Sequence, residues 1–142
     1  MNENIAESIG MFLENKIREK ILSDVPPPNA ESTIKRKGSS HTLIDDGTLL
    51  SSVTHTVESE GENIKITIGI LDPEVAEYAA PNEHGVAWDN RPKKGIGNTE
   101  SREWFIPPRS FIRSTFDEEY ENIISDVEKQ IVTNVKAKLS GK

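Results

Sequence analysis

There is no cysteine anywhere in the 142 residues, which excludes disulfides and any zinc site built on thiolates and fits a chain made in the cytosol. There is no excess of basic residues either: 17 Lys and Arg stand against 24 Asp and Glu. A net charge of −7 argues against a general nucleic-acid binder, which carries a basic surplus. No apolar run approaches the roughly 20 residues needed to span a bilayer. Met1-Asn2-Glu3-Asn4 lacks the basic and apolar regions of a signal peptide, so the expectation is a soluble chain, intracellular when made. Hydrophobic residues are sparse at 34 %, which points to much exposed surface, or to surface covered only by partner subunits. One domain spanning residues 1–142 is expected, with a modest core.

What is present begins with periodicity. Ile5, Ile9, Leu13, Ile17 and Ile21 recur every four residues, with Phe12 beside them, and predict an amphipathic helix of about six turns capped by Asn2 or Asn4. Pro26-Pro27-Pro28 stops it. Residues 29–47 read as an extended or irregular connection, with a short helical turn at Thr33-Ile34, a basic Lys35-Arg36-Lys37 and a turn at Asp46-Gly47. A further helical turn is expected over 48–52. Val53, His55 and Val57 alternate with threonines, and Ile64, Ile66, Ile68 and Ile70 alternate with Lys65, Thr67 and Gly69, so two strands are predicted, joined by a loop over 58–63.

Residues 74–80 read as a short helix or turn, 85–88 as the start of a strand, 89–101 as a mobile polar loop, and 104–106 as a strand closed by Pro107-Pro108. Phe116, Tyr120, Ile123, Ile124, Val127, Ile131, Val135 and Leu139 then predict a long amphipathic helix with Ser110 or Ser114 as its cap. The fold class follows as α+β: a small, mostly antiparallel β-sheet packed against an N-terminal and a long C-terminal helix, with long loops.

Catalytic patterns are missing. His41, His55 and His84 share no metal-ligand spacing, and His55 reads as a partly buried strand histidine. Asp45-Asp46 beside Gly47 has the context of a turn, no serine sits in a nucleophile elbow, and Gly95-Ile96-Gly97 precedes no helical pattern. No catalytic residue, metal site or cofactor is therefore expected.

Three short motifs obey no period: Leu43-Ile44-Asp45-Asp46-Gly47-Thr48-Leu49, Tyr78-Ala79-Ala80-Pro81-Asn82-Glu83-His84-Gly85 and Ile106-Pro107-Pro108-Arg109-Ser110-Phe111-Ile112-Arg113. Read from the residues, Asp46-Gly47 turns the chain into the sheet and Tyr78 anchors a loop on the core. Glu83 and Arg109 are candidates for a charge-assisted pair between the loop before the third strand and the last helix, with both merely solvated as the alternative. Pro107-Pro108 sets the approach to that helix and Phe111 inserts beneath it.

In this order, after a proline-rich stop and Thr33-Ile34-Lys35-Arg36-Lys37-Gly38, the motifs resemble the tail-completion and head–tail joining proteins of long-tailed bacteriophages, a broad family that includes lambdoid tail-component and Mu-type virion morphogenesis proteins. The resemblance covers about residues 26–116. His84 stands where the family pattern has phenylalanine, and Pro108 and Ser110 stand where it has a small residue and a proline around the arginine.

The resemblance implies a structural virion protein of a phage or prophage neck, made in the host cytoplasm. Such a subunit forms a homo-oligomeric ring, commonly of six. It joins the head connector to the tail-tube or terminator proteins, with DNA passing through the channel and no membrane partner. A tail-terminator subunit is the nearest alternative; a DNA-lining channel protein and a small packaging hydrolase or nuclease are others. The loops 29–47 and 87–103 are the expected contact surfaces. Trp88 and Trp104 stand at the base of the second. The basic sets Lys35-Arg36-Lys37 and Arg91, Lys93, Lys94 are complementary to acidic sets at 58–62 and 117–121, or else these are ordinary solvated loops.

Overall fold

The structure, a computed structural model, describes residues 2–29, 31, 34, 35, 38, 42–44, 47–89 and 103–141; along 86–89 and 103–106 it is the backbone path that is described. Helix α1 runs from Glu3 to Leu22, and the Asn2 side chain accepts from the Ile5 amide at 3.0 Å, as the sequence predicts. Its four-residue stripe is buried along its full length. The helix ends ahead of the prolines, where Asp24 takes a left-handed φ of 57° and turns the chain back. Ile34 and Lys35 are helical, and the Gly38 amide donates to the Ile34 carbonyl at 2.9 Å. Gly47, with φ of 85°, introduces helix α2, Thr48–Ser51.

Strands β1 (Val53–Glu60) and β2 (Asn63–Ile70) pair antiparallel from Val53↔Ile70 to Glu60↔Asn63. The expected loop over 58–63 is therefore a two-residue turn at Gly61-Glu62, and Glu58, Ser59 and Glu60 belong to the strand. Gly61, at φ of 65°, allows the turn to be that tight.

Helix α3 (Pro73–His84) is longer than predicted. Asp72 caps it, accepting from the Glu74 amide at 3.0 Å, and the helix runs through Pro81 to His84. Pro81 gives up one backbone hydrogen bond, a cost that the buried Val75 and Ala79 offset. Gly85 ends the helix at φ of 75°, its amide donating to the Pro81 carbonyl. Strands β3 (Val86–Asp89) and β4 (Glu103–Ile106) pair antiparallel, with Trp88 opposite Trp104. Helix α4 occupies Arg113–Leu139.

The architecture is α+β with a small sheet, and its strands form two separate two-stranded antiparallel ladders, β1–β2 and β3–β4. The main core gathers Ile17 and Ile21 of α1, Leu43, Leu49, Val53, Val75, Ala79 and the fully buried Phe111. A second cluster joins Ile5, Ile9 and Leu13 to Ile66 and Ile68 of β2 and to Ile123 and Val127 of α4. Helices α1 and α4 run antiparallel: Lys20 meets Glu118 at 2.6 Å near one end, and Ile5 lies by Ile131 near the other. The coverage of α4 is thin, and every residue from Ile131 to Gly141 is exposed. Among the described residues no helix is long and apolar enough to cross a membrane.

Candidate functional site

The second and third motifs meet at one point, where the last turn of α3 faces the first turn of α4. The opening amides of a helix have no intrahelical acceptor. The residue at the cap position of α4 is Ile112, whose side chain cannot accept a hydrogen bond. Glu83 supplies the missing acceptor from α3. One carboxylate oxygen accepts from the Phe111 amide at 2.7 Å and the Ile112 amide at 3.0 Å; the other accepts from the Arg113 amide at 2.9 Å and the Ser110 hydroxyl at 2.8 Å.

The side of Glu83 is only 8 % exposed. Burial pushes its pKa up, but the three amides and the hydroxyl outweigh burial and hold the group below its ordinary 4.5. The positive end of the helix adds to the same preference. Neither predicted cap holds the cap position: Ser114 lies inside the helix and Ser110 two residues before Ile112, although the Ser110 hydroxyl does accept from the Ser114 amide at 3.1 Å.

Arg109 sits beside this cap, 6 % exposed, and forms no ion pair with Glu83. Its Nε donates to the Pro27 carbonyl at 2.7 Å, its Nη2 to the Pro28 carbonyl at 3.3 Å, and its amide to the Asn82 carbonyl at 2.6 Å. The expected Glu83–Arg109 salt bridge is thus replaced by two separate sets of hydrogen bonds. The reason is local: the carboxylate is saturated by the amides of α4, and a guanidinium is better placed on the carbonyls of the proline turn than at a positive helix end. Burial lowers the arginine's pKa from its ordinary value. The result is a joint that ties the exit of α1, the end of α3 and the start of α4, with Phe111 fully buried beneath it.

The other sequence candidates distribute around this joint. Gly47 and Gly85 both adopt the positive φ expected of turn glycines. Pro107 is half-buried and Pro108 exposed on the approach to α4. Tyr78 lies on α3, 44 % exposed, and its carbonyl accepts from the Asn82 side chain at 2.8 Å. His84 and Glu83 are at the end of a helix and not in an extended segment, with Glu83 buried and His84 exposed. Lys35 is exposed. Trp88 and Trp104 are cross-strand partners in the β3–β4 ribbon. Asp46, Arg36, Lys37, Arg91, Lys93 and Lys94, with the loop core 90–101, lie outside the described residues.

A second polar cluster has no motif to announce it. His55, pointing from β1 to α1, places Nδ1 at 2.5 Å from Glu14 and Nε2 at 3.0 Å from Glu7. Glu14 also meets Arg18 at 2.5 Å, and Arg18 donates to the Val53 carbonyl at 2.9 Å. The bonds to Glu14 and then Glu7 raise the histidine's pKa above its ordinary 6.5, against the opposing pull of burial. The ring lies so close to α1 that a Cβ on Gly10 would come within 2.3 Å of His55 Cδ2. The only cue in the sequence was Glu7, Gly10, Glu14 and Arg18 recurring at three- and four-residue intervals on α1. Among the described residues no group of three or more His, Asp or Glu side chains is arranged so that it could hold a metal ion.

Compared with protein-family profiles, curated protein sequences and solved structures, the chain matches none.

Proposed function

We propose that this chain is a structural subunit of a phage or prophage neck, joining the head connector to the tail as part of a homo-oligomeric ring. The observation that carries the reading is the Glu83–Arg109 joint. Two motifs that resemble those of tail-completion proteins meet there, and their polar groups are spent on holding backbone. A carboxylate with four donors and a depressed pKa is a poor proton donor or acceptor near neutrality, so its chemistry suits capping. The joint fixes the roots of the β3–β4 ribbon, leaving Gly85 and leading from Ile106 into Pro107, so the ribbon projects from a rigid base.

The test is genetic and morphological. Removing the gene from the phage or prophage that encodes it, and supplying it in trans, should toggle between DNA-filled heads with separate finished tails and complete particles. Tails of uncontrolled length without the gene would assign the tail-terminator role in its place. Normal joining without the gene would end the neck reading.

A further inference from the structure

Packed helices lie roughly 8–10 Å apart, and paired strands roughly 4.8 Å apart. Two helices side by side therefore roof about four strands. Here α1 lies over both strands, through Arg18 to Val53, His55 to Glu14 and the cluster of Ile5, Ile9 and Leu13 with Ile66 and Ile68. Helix α4 packs beside α1 through Ile123 and Val127, with Phe116 across a groove from Ile66 and Ile68 of β2. The ladder beneath them has two strands. β2 consequently presents one edge with no strand partner among the described residues, beside a groove lined by Ile66, Ile68, Ile112 and Phe116. Along α4, Phe116, Tyr120, Ile124, Ile131 and Val135 stay exposed on neighbouring turns, an apolar stripe of the kind that marks an interaction surface.

The β3–β4 ribbon has the opposite deficiency. It is a two-stranded sheet with strands Val-Ala-Trp-Asp and Glu-Trp-Phe-Ile, and its strands pack chiefly on each other. A lone hairpin of that size is marginal in water and gains most from a third strand or a helix against its face. The chain thus carries a seat for two strands and, elsewhere, two strands without a seat. Charge favours the same match. Residues 90–102, between β3 and β4, hold four basic side chains and one acidic, whereas residues 113–128 of α4 hold six acidic and one basic.

We propose that the free edge of β2, beneath the α4 stripe, is the docking seat for the β3–β4 ribbon of a second copy of this chain. The contact is heterologous: ribbon of one copy on edge of the next. Such contacts propagate head to tail and close into a ring where the rotation between successive copies closes. The ladder hydrogen bonds supply affinity and the stripe supplies buried area, as in strand addition generally. The proposal rests on the ring reading for its second copy and adds which two surfaces meet.

Because the chain contains no cysteine, introduced pairs give a clean readout. Chains carrying Lys65→Cys or Thr67→Cys on β2 together with Ala87→Cys on β3 or Glu103→Cys on β4 are oxidised at high protein concentration. The products are separated on non-reducing gels. The expected result is a ladder of covalent multimers ending at one largest species, whereas each single-cysteine chain stops at a dimer. Light scattering should show the same assembly lost on Ile124→Glu, with circular dichroism unchanged because Ile124 is exposed.

A fast-migrating, internally linked monomer would assign the seat to the chain's own ribbon and overturn the proposal. So would no cross-link from any pair, or a ring that survives Ile124→Glu. Each of those outcomes leaves the neck reading standing on its particle assay, and a ladder in a chain dispensable for joining would do the reverse.

Discussion

Two polar clusters hold the helices of this molecule in place, and they do so in opposite ways. At the α3–α4 joint one buried carboxylate is surrounded by neutral donors, three amides and a hydroxyl, with no opposite charge in contact. Between α1 and β1, a histidine is shared by two carboxylates, one of which also holds an arginine. The first is fixed by geometry: amides at a helix start point in set directions and cannot titrate. The second depends on a proton on His55. A structure that needs a constant joint at the base of a projecting ribbon is better served by the first kind.

The sharpest way to break the comparison is at Glu83. Glu83→Ala leaves the Phe111, Ile112 and Arg113 amides without their acceptor in a closed site and should cost about 3–5 kcal/mol, measured by urea denaturation. Glu83→Gln keeps one acceptor oxygen and should lose less. If both substitutions cost under about 1 kcal/mol, the amides find other acceptors and the joint is not held by the carboxylate.

Gly10→Ala tests the other cluster. Helix propensity alone predicts a gain of about 1 kcal/mol. The 2.3 Å approach of the new Cβ to His55 instead predicts a net loss of about 1–3 kcal/mol. Adding His55→Ala should then recover part of that loss, since it removes the ring that the methyl meets.

The pH profile should separate the two clusters by sign, with the smallest effect. Glu83 has a depressed pKa, so its contribution is present above 4.5 and fades as pH falls through the folded value. His55 has a raised pKa; facing Glu7, Glu14 and Arg18, it contributes fully below 6.5 and fades as pH rises through its folded value. Stability should therefore slope down on both sides, with Glu83→Gln flattening the acid side alone and His55→Ala the alkaline side alone. A single substitution that flattens both sides would show the clusters to be coupled.

What was legible in the sequence followed from short-range regularity. The stripe from Ile5 to Ile21 gave α1 to within two residues, and the alternation from Ile64 to Ile70 gave β2 to within one. Phe111 was placed in the core by its position after a proline pair. α3 was under-read because Ala-Ala-Pro-Asn looks like a turn, and tertiary contacts at Val75, Ala79 and Glu83 overrode that local preference. Glu83 and Arg109 were recognised as belonging together but given the wrong bond. Opposite charges suggest a salt bridge, whereas the helix start 28 residues away from Glu83 makes the better claim on its carboxylate. The His55 cluster was beyond reach, because α1 and β1 are brought face to face only by the fold.

The bond from Arg109 to the Pro27 carbonyl spans 82 residues of chain. During synthesis, α1 and the β1–β2 hairpin are complete well before that arginine exists, so the joint can close only after both are made. A closure over so much sequence raises the contact order and belongs to the slow, late side of folding. Interactions absent from the transition state act mainly on unfolding. Losses at Arg109 are then expected to appear as faster unfolding with little change in the folding rate, and the joint would act less as the seed of the fold than as its latch.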